Sequence, residues 1–296
     1  MSAAFEFCQT VKCFPGFQLG PLDLALDPGK ILAYVGVNGA GKTTTLNCLV
    51  GLLKPDAGRI TVFGRPNDPR DPAWKQDIGF VGDRHVFYER WSAAENLRFL
   101  AGFYPAWDDR KAGALAARLR LPLQRRARDL SAGNRVKLSL VAALAHSPRL
   151  LVLDEPTAGL DPVVRQELLD ELLEVIQDEE RAVFYSTHVL ADIRRLADEL
   201  AFLDEGRVTR RATPADLEGA WRRINFRSDR DDLSVLATVS HRREGREHQV
   251  VSEDGAATLA HLAELGVEVG EVSRLGVEEI AVYILRGGRH VAPDPR

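Results

Sequence analysis

The stretch Gly36-Val37-Asn38-Gly39-Ala40-Gly41-Lys42-Thr43-Thr44 decides how this chain is read. An apolar run, residues 31–35, leads into it. Residues 43–53 then show helical spacing and stop before the turn cluster Lys54-Pro55-Asp56-Ala57-Gly58. Strand, glycine-rich loop and helix in that order form the first unit of a parallel α/β sheet. The pattern G-x-x-x-x-G-K-[ST] has a physical basis. Glycines let consecutive main-chain N–H groups curl inward around phosphate oxygens, where side chains would obstruct. The following helix N-terminus adds partial positive charge. Lys42 is expected to reach the β- and γ-phosphates and the Thr43 hydroxyl to ligate Mg²⁺. The full match in its strand-and-helix context sets aside an ordinary glycine-rich turn, but does not choose among kinases, GTPases, motor proteins and transporters.

Working outward, further apolar runs at residues 78–81, 150–153, 182–185 and 200–203 suit strands buried on both faces of a sheet. Asp161-Pro162 supplies an N-cap and first-turn pair for a helix over residues 163–177. Leu150-Leu151-Val152-Leu153-Asp154-Glu155 sets two acids directly after an apolar strand, and ligands of open α/β sheets bind at the carboxyl ends of strands. Asp154 is therefore expected beside the Mg²⁺ held by Thr43, and Glu155 in position to polarise an attacking water as general base. Residues from about 92 to 145 read as helical throughout (93–103, 110–119 and 133–145), a helical insertion between two strands. After Thr213 the chain turns to Arg, Glu and short alternating runs (223–226, 249–252, 267–272), with helical patterns at 256–265 and 277–285. That reads as a small α+β appendage. There is no internal repeat and no low-complexity segment.

Three further motifs carry a family. Leu130-Ser131-Ala132-Gly133-Asn134 opens the helix before the Asp154 strand and resembles the LSGGQ signature of ATP-binding cassette (ABC) proteins. Asp154-Glu155-Pro156-Thr157-Ala158-Gly159-Leu160-Asp161 looks like that family's Mg²⁺-binding strand end and D-loop, and Ser186-Thr187-His188 like its switch histidine. The similarity covers roughly residues 5–215. It implies a P-loop NTPase of α/β class: a mostly parallel sheet in a nucleotide-binding domain over residues 1–215, a helical subdomain inserted at about 84–145, and the appendage over 216–296.

The resemblance also implies a mechanism. Two cassettes, identical or related, stack head to tail, each ATP lying between one phosphate loop (Gly36, Asn38, Gly39, Ala40, Gly41, Lys42, Thr43, Thr44) and the partner's signature. Ser131 and the N–H of Gly133 then contact the γ-phosphate across the interface, and Asp161 joins the nucleotide site. His188 contacts the γ-phosphate from its own subunit. Phe14 resembles the aromatic residue that stacks on adenine, with Phe17 as competitor. Glu155, His188 and Lys42 form the catalytic set; Thr43, Asp154 and Asp83 the metal set.

The chain departs from the pattern at Asp83, which stands where the family carries a Gln, and at Ala132 and Asn134 in the signature. A carboxylate at position 83 can ligate Mg²⁺ or orient water, but adds negative charge near the phosphates. The methyl of Ala132 is tolerated where φ is negative. Arg125, Arg126 and Arg128 ahead of the signature read as a solvated helical face, with a phosphate-sensing role as the alternative.

Composition bounds the partners. The 296 residues carry 45% hydrophobic and 28% charged side chains and a net charge of −4, which gives no electrostatic case for nucleic acid. Cys8, Cys13 and Cys48 are too few and too irregular for a disulfide framework or a zinc site. No basic segment with an apolar run opens the chain, and no apolar stretch approaches the ~20 residues that span a bilayer. One cassette without a membrane segment looks like the cytoplasmic ATPase subunit of a bacterial exporter, held to the inner face of the membrane by a separate permease. The segment Ala94-Glu95-Asn96-Leu97 to Phe103-Tyr104-Pro105-Ala106-Trp107-Asp108 is similar to subunits of antibiotic- or peptide-export operons. The alternative is a soluble ABC ATPase serving assembly or regulation without a permease. A kinase or GTPase leaves the signature unexplained, and the chain has no Asn/Thr-Lys-x-Asp guanine-reading motif.

Overall fold

A computed structural model describes residues 2–177, 181–229 and 238–287. The central sheet runs Arg207–Ala212, Glu199–Asp204, Ile31–Gly36, Ala182–Thr187, Leu150–Asp154, Ile78–Val81. All neighbours pair in parallel except Arg207–Ala212, which runs antiparallel at one edge. The five strands expected from sequence are the five parallel ones. Their uninterrupted apolar runs follow from cover on both faces. Ala33, Val35, Leu151, Leu153, Val183 and Tyr185 enter one core cluster, while Leu32, Tyr34, Leu150, Val152 and Phe184 enter the other, the period-two alternation of a strand. Register aligns Asp154 with Ser186 and Val35 with Thr187, so the phosphate loop, the carboxylate pair and the histidine segment leave the sheet from one end.

A second, antiparallel sheet (Phe17–Leu26, Phe5–Phe14, Ala57–Val62, Arg65–Pro66) was not expected. Phe5, Phe7, Leu22 and Ile60 pack it against the second cluster. The helix Lys42–Leu49 is shorter than the expected 43–53. Gly51 takes a φ of 73°, Leu52 and Leu53 donate their N–H groups back to the Asn47 carbonyl, and the Asn67 side chain caps the Cys48 and Leu49 carbonyls. A left-handed glycine just past the last turn is a common helix stop.

The insertion holds helices Ala93–Ala101, Asp109–Arg118 and Ala132–Leu144. Ser92 and Glu95 close a reciprocal capping box on the first, and the Asp108 side chain caps the second. Leu97, Leu115, Ala116, Leu140 and Val141 carry their apolar faces into the first core cluster.

Beyond Thr213 come helix Pro214–Ala220 and a four-stranded antiparallel sheet, ordered Ser240–Glu244, Glu247–Ser252, Arg222–Arg227, Glu268–Arg274. Helix Gly255–Glu264 covers it through Leu262 on Ile224, Phe226 and Val250. The helix Val277–Arg286 turns back. Its Val277, Ile280 and Ala281 are buried in the same cluster as Ile193, Leu196, Leu200 and Trp221. No helix among the described residues is long and apolar enough to cross a membrane.

Candidate functional site

The loop after strand Ile31–Gly36 turns through Gly39 and Gly41, with φ of 85° and 111°. At Gly41 a Cβ would also stand 2.8 Å from Cζ of Phe17, so glycine is required twice there, by conformation and by packing. Asn38 is exposed and Ala40 buried, and Ala40 closes the loop with a bond from its N–H to the Val37 carbonyl. Thr43 and Thr44 follow in the first turn of helix Lys42–Leu49. Lys42 is 6% exposed. Its ammonium donates to the carbonyls of Gly36 (2.7 Å) and Val37 (3.2 Å) and lies 3.1 Å from Glu155 Oε1. This last contact is an ion pair off the hydrogen-bonding direction, and Oε1 has no other partner.

Asp154 is 1% exposed. Its Oδ1 accepts from Ser186 Oγ at 2.6 Å, and the Thr43 hydroxyl stands near enough to favour the charged carboxylate. Burial pushes its pKa up, against the two hydroxyls, and the charges of Asp83 and Glu155 push the same way. Its Oδ2 is buried without a partner. A buried carboxylate with an orphaned oxygen beside a threonine hydroxyl fits a hard divalent cation, whose charge would answer both the burial and the neighbouring acids. Thr43 and Asp154 would hold Mg²⁺. Asp83 is exposed and makes no hydrogen bond or ion pair among the described residues, and no group of three His, Cys, Asp or Glu side chains there could hold a metal. Asp83 bears on Asp154 through its charge alone.

Glu155 has a left-handed backbone, φ 51°, and its N–H donates to Ser186 Oγ at 3.0 Å. Its Oε2 takes His188 at Nδ1 (2.8 Å) and at the main-chain N–H (3.3 Å). Lys42, Glu155 and His188 therefore stand in one line, cation, carboxylate, imidazole. Ser186 was missed as a site residue. It ties both acids, and its signal lay in the parallel register that sets it level with Asp154.

The other expected residues lie apart from this group. Phe14 ends its strand 40% exposed, with Lys12 Nζ 5.7 Å from its ring centroid and Phe17 tilted 6.5 Å away. An open aromatic face suits base stacking, whereas Phe17 packs on Gly41. Ser131 is exposed and caps helix Ala132–Leu144 by accepting from the Asn134 N–H at 3.3 Å. Ala132 has no positive φ, so its methyl brings no backbone strain. Gly133 is buried, and a Cβ there would stand 2.8 Å from Val164 Cγ1 of the same chain. Asp161 caps helix Pro162–Gln177 through the N–H groups of Val163 and Val164.

Comparison with known proteins places the chain in a family. The protein family described as ABC transporter matches residues 19–158. The ABC transporter ATP-binding protein YtrB of Bacillus subtilis is 30% identical over 227 residues, 76% of this chain and 77% of that protein. The Nod factor export ATP-binding protein I of Cupriavidus pinatubonensis is 36% identical over 201 residues, 66% of this chain and 62% of that protein, so the chain spans under two thirds of that relative. A solved structure of the ATP-binding subunit of an ABC transporter superposes with a TM-score of 0.65 at 28% identity, covering 73% of this chain and 92% of the other.

Proposed function

This chain belongs to the ATP-binding subunits of ABC transporters, and on that footing we propose that it powers a separate membrane permease in an exporter. One observation carries the permease. Tyr88, Trp91, Phe99 and Phe103 are 36–61% exposed and form a continuous ring cluster, Tyr88 stacked on Trp91 at 4.2 Å and Phe99 edge-on to both Trp91 and Phe103. Val86, two residues before Tyr88 in the chain, is 84% exposed. Exposed apolar patches rimmed by polar residues mark interaction surfaces. The occupant we assign is a short amphipathic helix of the permease. Continuity with the site supports this: Glu89, between Tyr88 and Trp91, forks onto Arg135 of helix Ala132–Leu144 at 2.9 and 2.7 Å. Pressure on the patch would thus reach the helix that Ser131 caps. A curated relative named for export supports the direction of transport.

In this reading two copies, or one copy and a relative, close head to tail around ATP, with Ser131 and the Gly133 N–H reaching the partner's nucleotide. Phe14 stacks on the base. Lys42 leaves Glu155 for the γ-phosphate, because a phosphate offers more charge than one carboxylate at the same reach. Glu155 accepts the proton of the attacking water, and His188 holds Glu155 on one side and contacts the γ-phosphate. Mg²⁺ at Thr43 and Asp154 supplies the charge that offsets the phosphate oxygens. The subunit sits at the inner face of the membrane through its permease.

The test is co-purification of the tagged chain from its own cells in mild detergent. A multi-span membrane protein in stoichiometric yield is expected, lost on Trp91→Ala with ATP binding kept. A dimer that hydrolyses ATP without any membrane partner would overturn the reading.

A further inference from the structure

Asp192 belongs to none of the motifs, yet it is 1% exposed. It closes the turn Leu190–Asp192, a few residues past His188. Its Oδ2 accepts from Thr157 Oγ1 at 2.7 Å, and its Oδ1 accepts from Arg165 Nε and Nη2 at 2.9 and 2.5 Å. Thr157 is itself 3% exposed and lies two residues after Glu155. Arg165 lies on helix Pro162–Gln177, one turn past Asp161. The three side chains thus come from the segments that carry Glu155, Asp161 and His188.

The arrangement is costly to build and specific in what it fixes. A buried carboxylate needs its charge answered, and here a guanidinium and a hydroxyl answer it. Glu155 holds a left-handed backbone that a non-glycine residue keeps only where its surroundings over-determine it. Upstream, Ser186 fixes the Glu155 N–H. Downstream, the Thr157 side chain is anchored in turn by Asp192. The same carboxylate sits on the turn that follows His188, and helix Val277–Arg286 packs against that turn. One buried group therefore sets the distance between the two segments whose side chains meet at 2.8 Å.

We propose that Asp192 is a positioning residue for ATP hydrolysis, its carboxylate clasping Thr157 and Arg165 so that Glu155 and His188 are held in register. The proposal rests on Glu155 being the general base. A displacement of about 1 Å at a reacting group can lower a rate by up to ~10²-fold while leaving substrate binding intact. The expected signature is thus a fall in kcat at nearly constant KM.

The experiment uses the full chain. Thr157→Val keeps shape and removes one bond to Asp192; Asp192→Asn removes the charge. Each is measured for kcat, KM for ATP and thermal unfolding, in the wild-type background and with Glu155→Gln. We expect Thr157→Val to lower kcat about tenfold with KM within about twofold, and to have no further effect on the residual rate once Glu155 is Gln. If Asp192→Asn fails to fold, Thr157→Val carries the test alone. Unchanged kcat, or equal loss in both backgrounds, overturns the proposal and leaves a structural clasp. A Glu155→Gln variant that itself hydrolyses ATP at the wild-type rate overturns instead the reading of Glu155 beneath it.

Discussion

Replacing Gly133 by alanine tests why the signature needs a glycine there. A Cβ on Gly133 would stand 2.8 Å from Val164 Cγ1 and 3.9 Å from Leu160 Cδ2, where carbon pairs prefer ~3.5–4.0 Å. Val164 sits in the first turn of helix Pro162–Gln177, and a β-branched side chain in a helix holds essentially one χ1 rotamer. The methyl cannot rotate away, so helices Ala132–Leu144 and Pro162–Gln177 must part. Overpacking of this kind costs ~1–3 kcal/mol. Alanine returns up to ~1 kcal/mol of helix propensity over glycine, less in a first turn. The net is ~1–2 kcal/mol, which lowers Tm by roughly 2–6 °C in a chain of this size. Thermal unfolding and ATPase rates are measured for Gly133→Ala, Val164→Ala and the double variant. Since the new methyl points into its own chain, Val164→Ala should restore both stability and turnover to Gly133→Ala. A Gly133→Ala protein that unfolds at the wild-type temperature would refute the packing argument. A double variant that regains stability without activity would refute the direction assigned to the methyl.

Three other outcomes follow from the same structure. Glu155→Gln should bind ATP, hydrolyse it ~10²–10⁴-fold more slowly and accumulate as an ATP-bound dimer, read by single-turnover kinetics and size-exclusion chromatography. His146 is 2% exposed, stacks on Tyr104 at 4.0 Å, and is held neutral by burial, its pKa pushed down to about 4; the Gln76 main chain opposes the shift without reaching hydrogen-bond geometry. The unfolded chain binds that proton near pH 6.5, so this stability is complete above pH 6.5 and is lost as pH falls toward 4. About 2 kcal/mol should disappear between pH 7 and 5, and denaturant titrations of His146→Phe should show that slope flattened; an unaltered slope assigns the loss elsewhere. Ile280, fully buried against the cassette core, should cost ~2–5 kcal/mol on truncation to alanine and lower the main unfolding transition. Independent melting of the C-terminal segment, with the rest unmoved, would contradict that packing.

Much of the candidate site was legible because its residues sit at strand ends, and those strands announce themselves. Residues buried on both faces must be apolar in succession, so 150–153 and 182–185 stand out, and the next residues are the ones the sheet presents at its edge. Lys42, Asp154, Glu155 and His188 meet on that account. Asp83 makes no hydrogen bond or ion pair with them among the described residues, although it follows the strand paired with that of Asp154 and its charge reaches that carboxylate. Asp192 was illegible for a different reason. Its partners lie 35 and 27 residues away, and an acid after a histidine segment reads like any helix cap until the fold brings Thr157 and Arg165 to it.

The unforeseen parts of the fold share one property: their pattern is local but their meaning is not. Strand Phe5–Phe14 alternates only in part, because the ladder slips between Phe7 and Thr10, where Gln9 takes a φ of 48°, and a slip of one residue exchanges the faces. The helix at 277–286 shows Val277, Ile280 and Ala281 at helical spacing, which foretells one apolar face. Nothing in that spacing says whether the face meets the neighbouring sheet or the cassette. It meets Ile193 and Leu196, just past the turn that holds Asp192. The last described helix of the chain is therefore part of the wall behind the histidine segment. Through Ile193 and Leu196 the same cluster reaches Ala33 and Val35 of the strand that leads into the phosphate loop, so a change in how that helix packs would bear on the histidine segment and on the phosphate loop together.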